Sequence, residues 1–254
     1  QSFVFQEEIM DLVEELLVNL AQRFNPEKSL QFLPFKRIAY AEALSRYGID
    51  KPDLRFNLEI QDTTSIFAET GINFISSAIN QGGRVKTIKV SSASLTDRDI
   101  RQLTQVVIDS GAKGLFSIQF LEGSIKSNLS SHLTEQEIDR LKKEFSINSG
   151  DTLVFVADAE EIANKSLGAV RLDLAKRLGY LEEKRDQLAF VWVTDFPLFE
   201  WGAEEKKIVA VHHPFTAPND EDLNFLESEP LRMRAKAYDI VLNGVEIGGG
   251  SIRI

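Results

Sequence analysis

The segment Asp239–Ile254, DIVLNGVEIGGGSIRI, holds two carboxylates, a run of bare backbone and one guanidinium. Asn243-Gly244 between two apolar runs is a strong hairpin signal. With those two residues as the turn, Leu242 pairs with Val245 and Val241 with Glu246. Directly paired residues share a sheet face, and Asp239, two before Val241, shares it as well. Asp239 and Glu246 are therefore expected as diagonal neighbours. Two such carboxylates repel unless a cation lies near. A divalent cation, Mg2+ where phosphates also bind, meets that need. Two exposed acids on a solvated face, each with its own lysine, are the plainer expectation.

Gly248, Gly249 and Gly250 are a poor choice for a strand, because they cost backbone entropy and bring no side chain to pack. Strict alternation puts Gly248 and Gly250 on the carboxylate face, as a floor on which a flat ligand could lie. Arg253 is an odd number of residues beyond Glu246, so regular pleating sends it to the opposite face. A β-bulge in the glycine run would return it.

The remaining polar signals are weaker. His212 and His213 close a strand before Pro214, and adjacent strand residues point to opposite faces, so one at most serves a given site; one packed and one solvated histidine is the plainer expectation. His132 precedes a capped helix and reads as a loop residue. Asp195 follows an apolar strand, as a hydrogen-bond acceptor at its end or as a turn residue. Lys165, Arg171, Lys176 and Arg177 lie on or near one expected helix, a group that usually forms a solvated face and could otherwise face RNA.

The elements that must position these residues fall into three stretches. In the first, Ile9, Leu12, Val13, Leu16, Leu17 and Leu20 form one face of a helix that Asn25-Pro26 ends. A second short helix runs from Ala41 to Tyr47 and is closed by Gly48. In the middle, β-type runs (VKTIKV, GLFSIQF, TLVFVA) alternate with helical ones, and Thr134 with Glu137 makes a capping box. That texture suits a separate α+β body. The last stretch returns to strands, with a short helix expected in EPLRMRAKAY. The expected division is 1–65, 66–187 and 188–254, the first and last belonging to one domain.

Composition narrows the chemistry. With no cysteine, there is no disulfide, thiol nucleophile or cysteine-bound zinc, and three histidines make a zinc site a poor fit. The net charge of −10 argues against gripping nucleic acid by bulk phosphate neutralisation, although a local basic face stays open. No apolar run is long enough for a membrane span. The start, QSFVFQEEIM, has no basic n-region and no initiator methionine, which is expected of a processed chain or one cut from something longer.

FLPFKRIAYAEALSRYGIDKPDLRF, WVTDFPLFEW, VHHPFTAP and RAKAYDIVLNGVEIGGGSIRI together resemble the bacterial-type aspartyl-tRNA synthetases, which are class II enzymes. The middle stretch, best in GDTLVFVADAEEIANKSLGAVRLDLAKRLG, resembles the GAD domain inserted in those enzymes. The likeness covers essentially the whole chain. Ile49 stands where a serine is usual and Lys36 where proline is common; neither touches a residue assigned to chemistry.

The resemblance implies an α+β fold. Part of the class II antiparallel sheet with its helices would flank the inserted GAD domain. It implies the activation of L-aspartate with ATP to aspartyl-adenylate and transfer to tRNA(Asp), in the cytoplasm, by a homodimer. It matches Asp239 and Glu246 to the Mg2+ carboxylates, with Glu246 near ATP. The Gly248, Gly249 and Gly250 run would lie against the adenylate, and His212 and Arg253 would bind aspartate. A planar guanidinium holds a carboxylate by two parallel hydrogen bonds, which suits selection of aspartate. No side-chain nucleophile is required. The first class II motif (the dimer interface), most of the second, the third and the anticodon-binding domain have no counterpart in the chain. The chain by itself is therefore expected to be inactive in aspartate activation, with exposed sheet edges. The competing reading is a non-catalytic module that binds tRNA or protein through the GAD domain. A degenerate relative is disfavoured, because a chain free of catalysis has no need of the glycine run.

Overall fold

In the computed structural model, which describes residues 4–92, 95–129 and 133–254, the chain first forms α1 (Gln6–Phe24), β1 (Ser29–Leu30), β2 (Lys36–Ala39) and α2 (Tyr40–Tyr47). The middle follows with β3 (Ile60–Asp62), α3 (Asn73–Asn80), β4 (Arg84–Val90), α4 (Asp97–Asp109), β5 (Phe116–Leu121), β6 (Ser124–Ser127), α5 (Glu135–Phe145), β7 (Thr152–Asp158), α6 (Glu160–Arg177) and α7 (Tyr180–Glu183). The C-terminal part forms β8 (Gln187–Leu188), β9 (Phe190–Thr194), β10 (Phe199–Gly202), β11 (Lys207–Ala210), two 3-10 turns (Asp220–Phe225 and Pro230–Arg232), β12 (Ala237–Leu242) and β13 (Val245–Ser251). The architecture is mixed helix and sheet, in two compact units. One comprises residues 1–43, 50–55 and 183–254, the other 44–49 and 56–182.

The first unit is built on a four-stranded sheet in the order β13-β12-β9-β2. Its pairs are antiparallel except β2 with β9, which is parallel. One face is apolar and lies under α1: Phe190, Trp192, Tyr238 and Ile240 pack with Met10, Val13, Leu17 and Ala21. Trp192 and Tyr238 meet edge-on at 6.0 Å between ring centroids, a geometry worth about 0.5–1.5 kcal/mol beyond burial.

The buried stripe of α1 is rotated from the expected one. Met10 and Ala21 are its most buried residues, while Leu12, Leu16 and Leu20 are 64%, 55% and 42% exposed. Apolar residues cover more than half the circumference of this helix, and the part that turns inward, Met10, Val13, Leu17 and Ala21, meets Trp192 and Tyr238. The helix expected in EPLRMRAKAY shrinks to the 3-10 turn Pro230–Arg232, because from Ala237 onward the residues belong to β12.

The second unit has a five-stranded sheet in the order β3-β4-β7-β5-β6, with every pair antiparallel. Alternation along the strands feeds two cores. Ile88, Val90, Val154 and Val156 pack with Leu103 and Val107 of α4 and Leu167, Val170 and Leu174 of α6. Val85, Leu153 and Phe155 pack with Ile75 of α3 and Leu141 and Phe145 of α5. Phe56, Leu58 and Ile60 belong to the first of these cores, so this unit takes in residues upstream of Ile66. The capping box of α5 is present, with Thr134 Oγ1 accepting from the Glu137 amide at 3.2 Å.

The four basic residues near α6 do not form one solvated face. Arg171 is fully buried. Its Nε donates to the Leu58 carbonyl at 3.0 Å and its Nη2 to that of Phe56 at 3.2 Å. The guanidinium lies over the rings of Phe56 and Tyr47. Arg177 is paired with Asp173 and Asp99. Lys165 and Lys176 are exposed.

Candidate functional site

The site residues lie on the face of the four-stranded sheet opposite α1. The hairpin forms as Asn243-Gly244 requires: both residues have positive φ, 52° and 83°, the signature of a type I′ turn. Leu242 pairs with Val245 and Val241 with Glu246. The turn is tied to the neighbouring strand. The Asn243 side chain accepts from the Ala189 amide and donates to the Gln187 carbonyl, each at 2.9 Å.

The register then slips by one residue. Ile240 pairs with Gly248, so Ile247 is the extra residue of a bulge. The bulge sits just before the glycines and reverses their faces relative to strict alternation. Gly249 now pairs with Asp239 and shares its face. A Cβ on Gly249 would overlap Asp239 Oδ1 and lie 3.2 Å from its Cγ. Gly248 and Gly250 turn to the opposite face, where a Cβ would meet Ile240 and the Tyr238 ring respectively. The floor on the carboxylate face is therefore Gly249, and strict alternation is corrected at Gly248 and Gly250. Ser251 and Arg253 alternate on from Gly249, so Arg253 returns to the carboxylate side.

Asp239 and Glu246 are brought together. Burial first, and then repulsion from Glu246, push the Asp239 carboxyl up to about 6, while His212, Lys51 and Asp50 also act on it, His212 and Lys51 favouring the charged form. Lys51 sits at the pair: its Nζ is 2.8 Å from Glu246 Oε2. The hydrogen bond to Glu246, and then the fields of Glu246, Asp50 and Asp239, hold the Lys51 ammonium above the usual lysine range despite slight desolvation.

Lys51 lies in the stretch DKPDLRF, which carries no periodicity, and no spacing rule links it to Glu246. The link is tertiary. Gly244 admits Asp53 so closely that a Cβ there would lie 3.2 Å from the Asp53 Cβ. Asp53 is buried and binds Arg55 through Nη2 at 2.6 Å and Nε at 3.0 Å. Sequence reasoning therefore had no signal for this residue beyond its acidic neighbour Asp50.

Arg253 forms an isolated bridge with Thr216, and its Nη1 donates to Thr216 Oγ1 at 3.2 Å. Among the described residues its guanidinium has no carboxylate within ion-pair distance. His212 and His213 lie beyond the end of β11 at Ala210 and do not close a strand. The His212 ring meets Phe196 edge-on at 5.2 Å. His213 Nδ1 accepts from the Phe215 amide at 3.1 Å. Both are exposed, so the packed-and-solvated split does not hold. Asp195 adopts a left-handed φ of 57°. Its carboxylate accepts from Asn219 Nδ2 at 2.6 Å and from the Thr194 hydroxyl at 2.9 Å, so it is a turn residue that also accepts at a strand end. His132 lies outside the described residues.

The donor set suits a hard divalent cation such as Mg2+. The described residues contain no group of three or more histidine, cysteine or acidic ligands. Two neighbouring carboxylates form a minimal cradle, and Mg2+ characteristically uses one or two carboxylates, retaining water and taking phosphate oxygens.

The family described as class II tRNA synthetases (D, K and N) matches residues 1–254. The chain is 44% identical over 254 residues to the aspartate–tRNA(Asp/Asn) ligase of Caldanaerobacter subterraneus subsp. tengcongensis. It is 45% identical over 255 residues to the protein of that name from Moorella thermoacetica. In both comparisons the whole chain is covered, and it spans about 42% of the relative's length.

Proposed function

The chain belongs to the class II tRNA synthetases (D, K and N), and from that premise we propose that it is part of an aspartate–tRNA ligase. The proposed reaction joins L-aspartate to ATP as aspartyl-adenylate and passes the aspartyl group to tRNA(Asp), and on the relatives' naming to tRNA(Asn) as well. The observation that carries this reading is that Asp239 stands across from Gly249, which leaves room for its carboxylate, within the field of Glu246.

Asp239 and Glu246 would hold Mg2+, which when bound offsets the negative charge of the ATP phosphates. The chain's own residues do the rest. Arg253, without a carboxylate partner among the described residues, holds the side-chain carboxylate of aspartate by two parallel hydrogen bonds. His212, whose field reaches the Asp239 carboxylate, assists in binding aspartate. Gly249, within the Gly248–Gly250 run, makes room for the Asp239 carboxylate that would hold the cation beside the nucleotide. The attacking group is the substrate's own α-carboxylate, so no side-chain nucleophile is involved. The second unit is proposed as the inserted GAD domain. The cytoplasm and a homodimeric state are proposed with the activity; no helix among the described residues is long and apolar enough to cross a membrane.

The test is aspartate-dependent ATP–pyrophosphate exchange by this sequence carried in a polypeptide of its relatives' length. Exchange is expected with aspartate and not with asparagine, and is expected to be lost in Arg253→Leu and in Asp239→Asn. Exchange that persists in both variants contradicts the reading.

A further inference from the structure

Lys51 has no packing role that requires a lysine. Its side chain is 39% exposed, and it belongs to none of the apolar clusters. Yet its segment is clamped. Asp53 and Leu54 are buried, Gln31 Nε2 donates to the Leu54 carbonyl at 3.0 Å, and Gly244 leaves space for Asp53. That clamp delivers one ammonium to Glu246 at 2.8 Å, with Asp239 and Asp50 adding to the field around it.

We propose that Lys51 is the resident counter-cation of the Asp239–Glu246 pair, and that a divalent cation binds by displacing it. The inference rests on the reading of that pair as a cation-holding site. The physical ground is competition between charges. The two carboxylates repel, and an ammonium at hydrogen-bond distance relieves that repulsion while the divalent cation is absent. A lysine suits the task better than an arginine, because its ammonium is a point charge on a flexible stem and is not locked in a bidentate fork. A pair this exposed is weak, so it yields to a doubly charged ion.

Mn2+ is the probe, titrated into the chain and followed by electron paramagnetic resonance of the free ion. Lys51→Met is expected to bind Mn2+ about two- to fivefold more tightly than wild type, the scale set by an exposed ion pair. Lys51→Arg keeps the charge and holds the carboxylates in a fork, so it is expected to bind Mn2+ no more tightly than wild type. In EDTA, Lys51→Met is expected to melt at a lower temperature than wild type, and saturating Mn2+ to close the gap. Unchanged or weaker Mn2+ binding in Lys51→Met overturns the proposal. An Asp239→Asn arm separates the two levels. If Asp239→Asn abolishes binding while Lys51→Met leaves it unchanged, displacement alone fails. If Asp239→Asn binds as wild type does, the paired-carboxylate reading fails and displacement falls with it.

Discussion

Gly249 lies directly across from Asp239 on the adjacent strand, and the Asp239 carboxylate fills the space that a β-carbon at Gly249 would take. The glycine thus fixes where the carboxylate stands. Gly249→Ala is expected to push Asp239 aside and to weaken Mn2+ binding about tenfold or more, as loss of a supporting contact at a metal site does. Gly248→Ala is the matched control: its Cβ would meet Ile240 Cγ2 at 3.5 Å, an ordinary contact, and binding should be retained. Equal effects from the two substitutions would contradict the assignment of faces.

Asp239 also makes stability depend on pH, with a definite sign. Its folded-state carboxyl is raised to about 6, above the roughly 3.9 of an unfolded aspartate. The folded chain therefore holds a proton that the unfolded chain has released. This contribution is full below about pH 4 and is lost as pH rises through about 6. Without divalent cations, Asp239→Asn is expected to melt higher than wild type above pH 6, by on the order of 2–4 °C, and to match it near pH 4. Thermal unfolding in EDTA across that range checks it. A variant less stable at pH 7.5 would show that the carboxylate is stabilising there.

Arg171 tests the second unit independently. Its guanidinium serves two backbone carbonyls from a fully buried position. Arg171→Met is expected to leave both carbonyls unpaired and to cost about 2–4 kcal/mol in urea unfolding. Arg171→Lys should recover little, because one ammonium does not reproduce the fork. The Tyr47 hydroxyl is pushed up to about 12, chiefly by burial and against the opposing field of Arg171.

Within the same unit, Gly168 of α6 lies against Gly48. A Cβ on Gly168 would stand 2.8 Å from the Gly48 carbonyl oxygen, and both closest contacts are backbone. Neither backbone moves cheaply, so Gly168→Ala is expected to cost about 1–3 kcal/mol as an overpacked contact. Gly114→Ala, whose Cβ would have its nearest neighbour at 3.9 Å, should be close to neutral.

The sequence was most legible where chemistry is local. Asn243-Gly244 specified the hairpin, its turn and the pairing of Val241 with Glu246, because a type I′ turn demands those residues whatever surrounds it. The bulge was foreseeable from the glycines but its place was not. Slipping at Ile247 sets Gly248 and Gly250 against Ile240 and Tyr238 and puts Gly249 across from Asp239, and that choice belongs to the sheet as a whole. Lys51 was illegible for the opposite reason: it reaches the site through Asp53 and Gly244, residues remote in sequence. Arg171 misled because charge patterning along α6 resembles a solvated face. The helix buries a wide arc that includes Ala163, Leu167, Val170 and Leu174, and Arg171 falls within it, while Lys165 and Lys176 lie on the exposed side.

The central claim is that Arg253 and the carboxylate pair belong to a site for activated aspartate. Calorimetric titration with sulfamoyl analogues of aspartyl- and asparaginyl-adenylate, against this sequence in a polypeptide of its relatives' length, tests it most directly. A guanidinium built to pair with a carboxylate should favour the aspartyl analogue by about a hundredfold or more, and Arg253→Leu should remove most of that preference. Equal affinity for the two analogues, or a preference untouched by Arg253→Leu, would contradict the account.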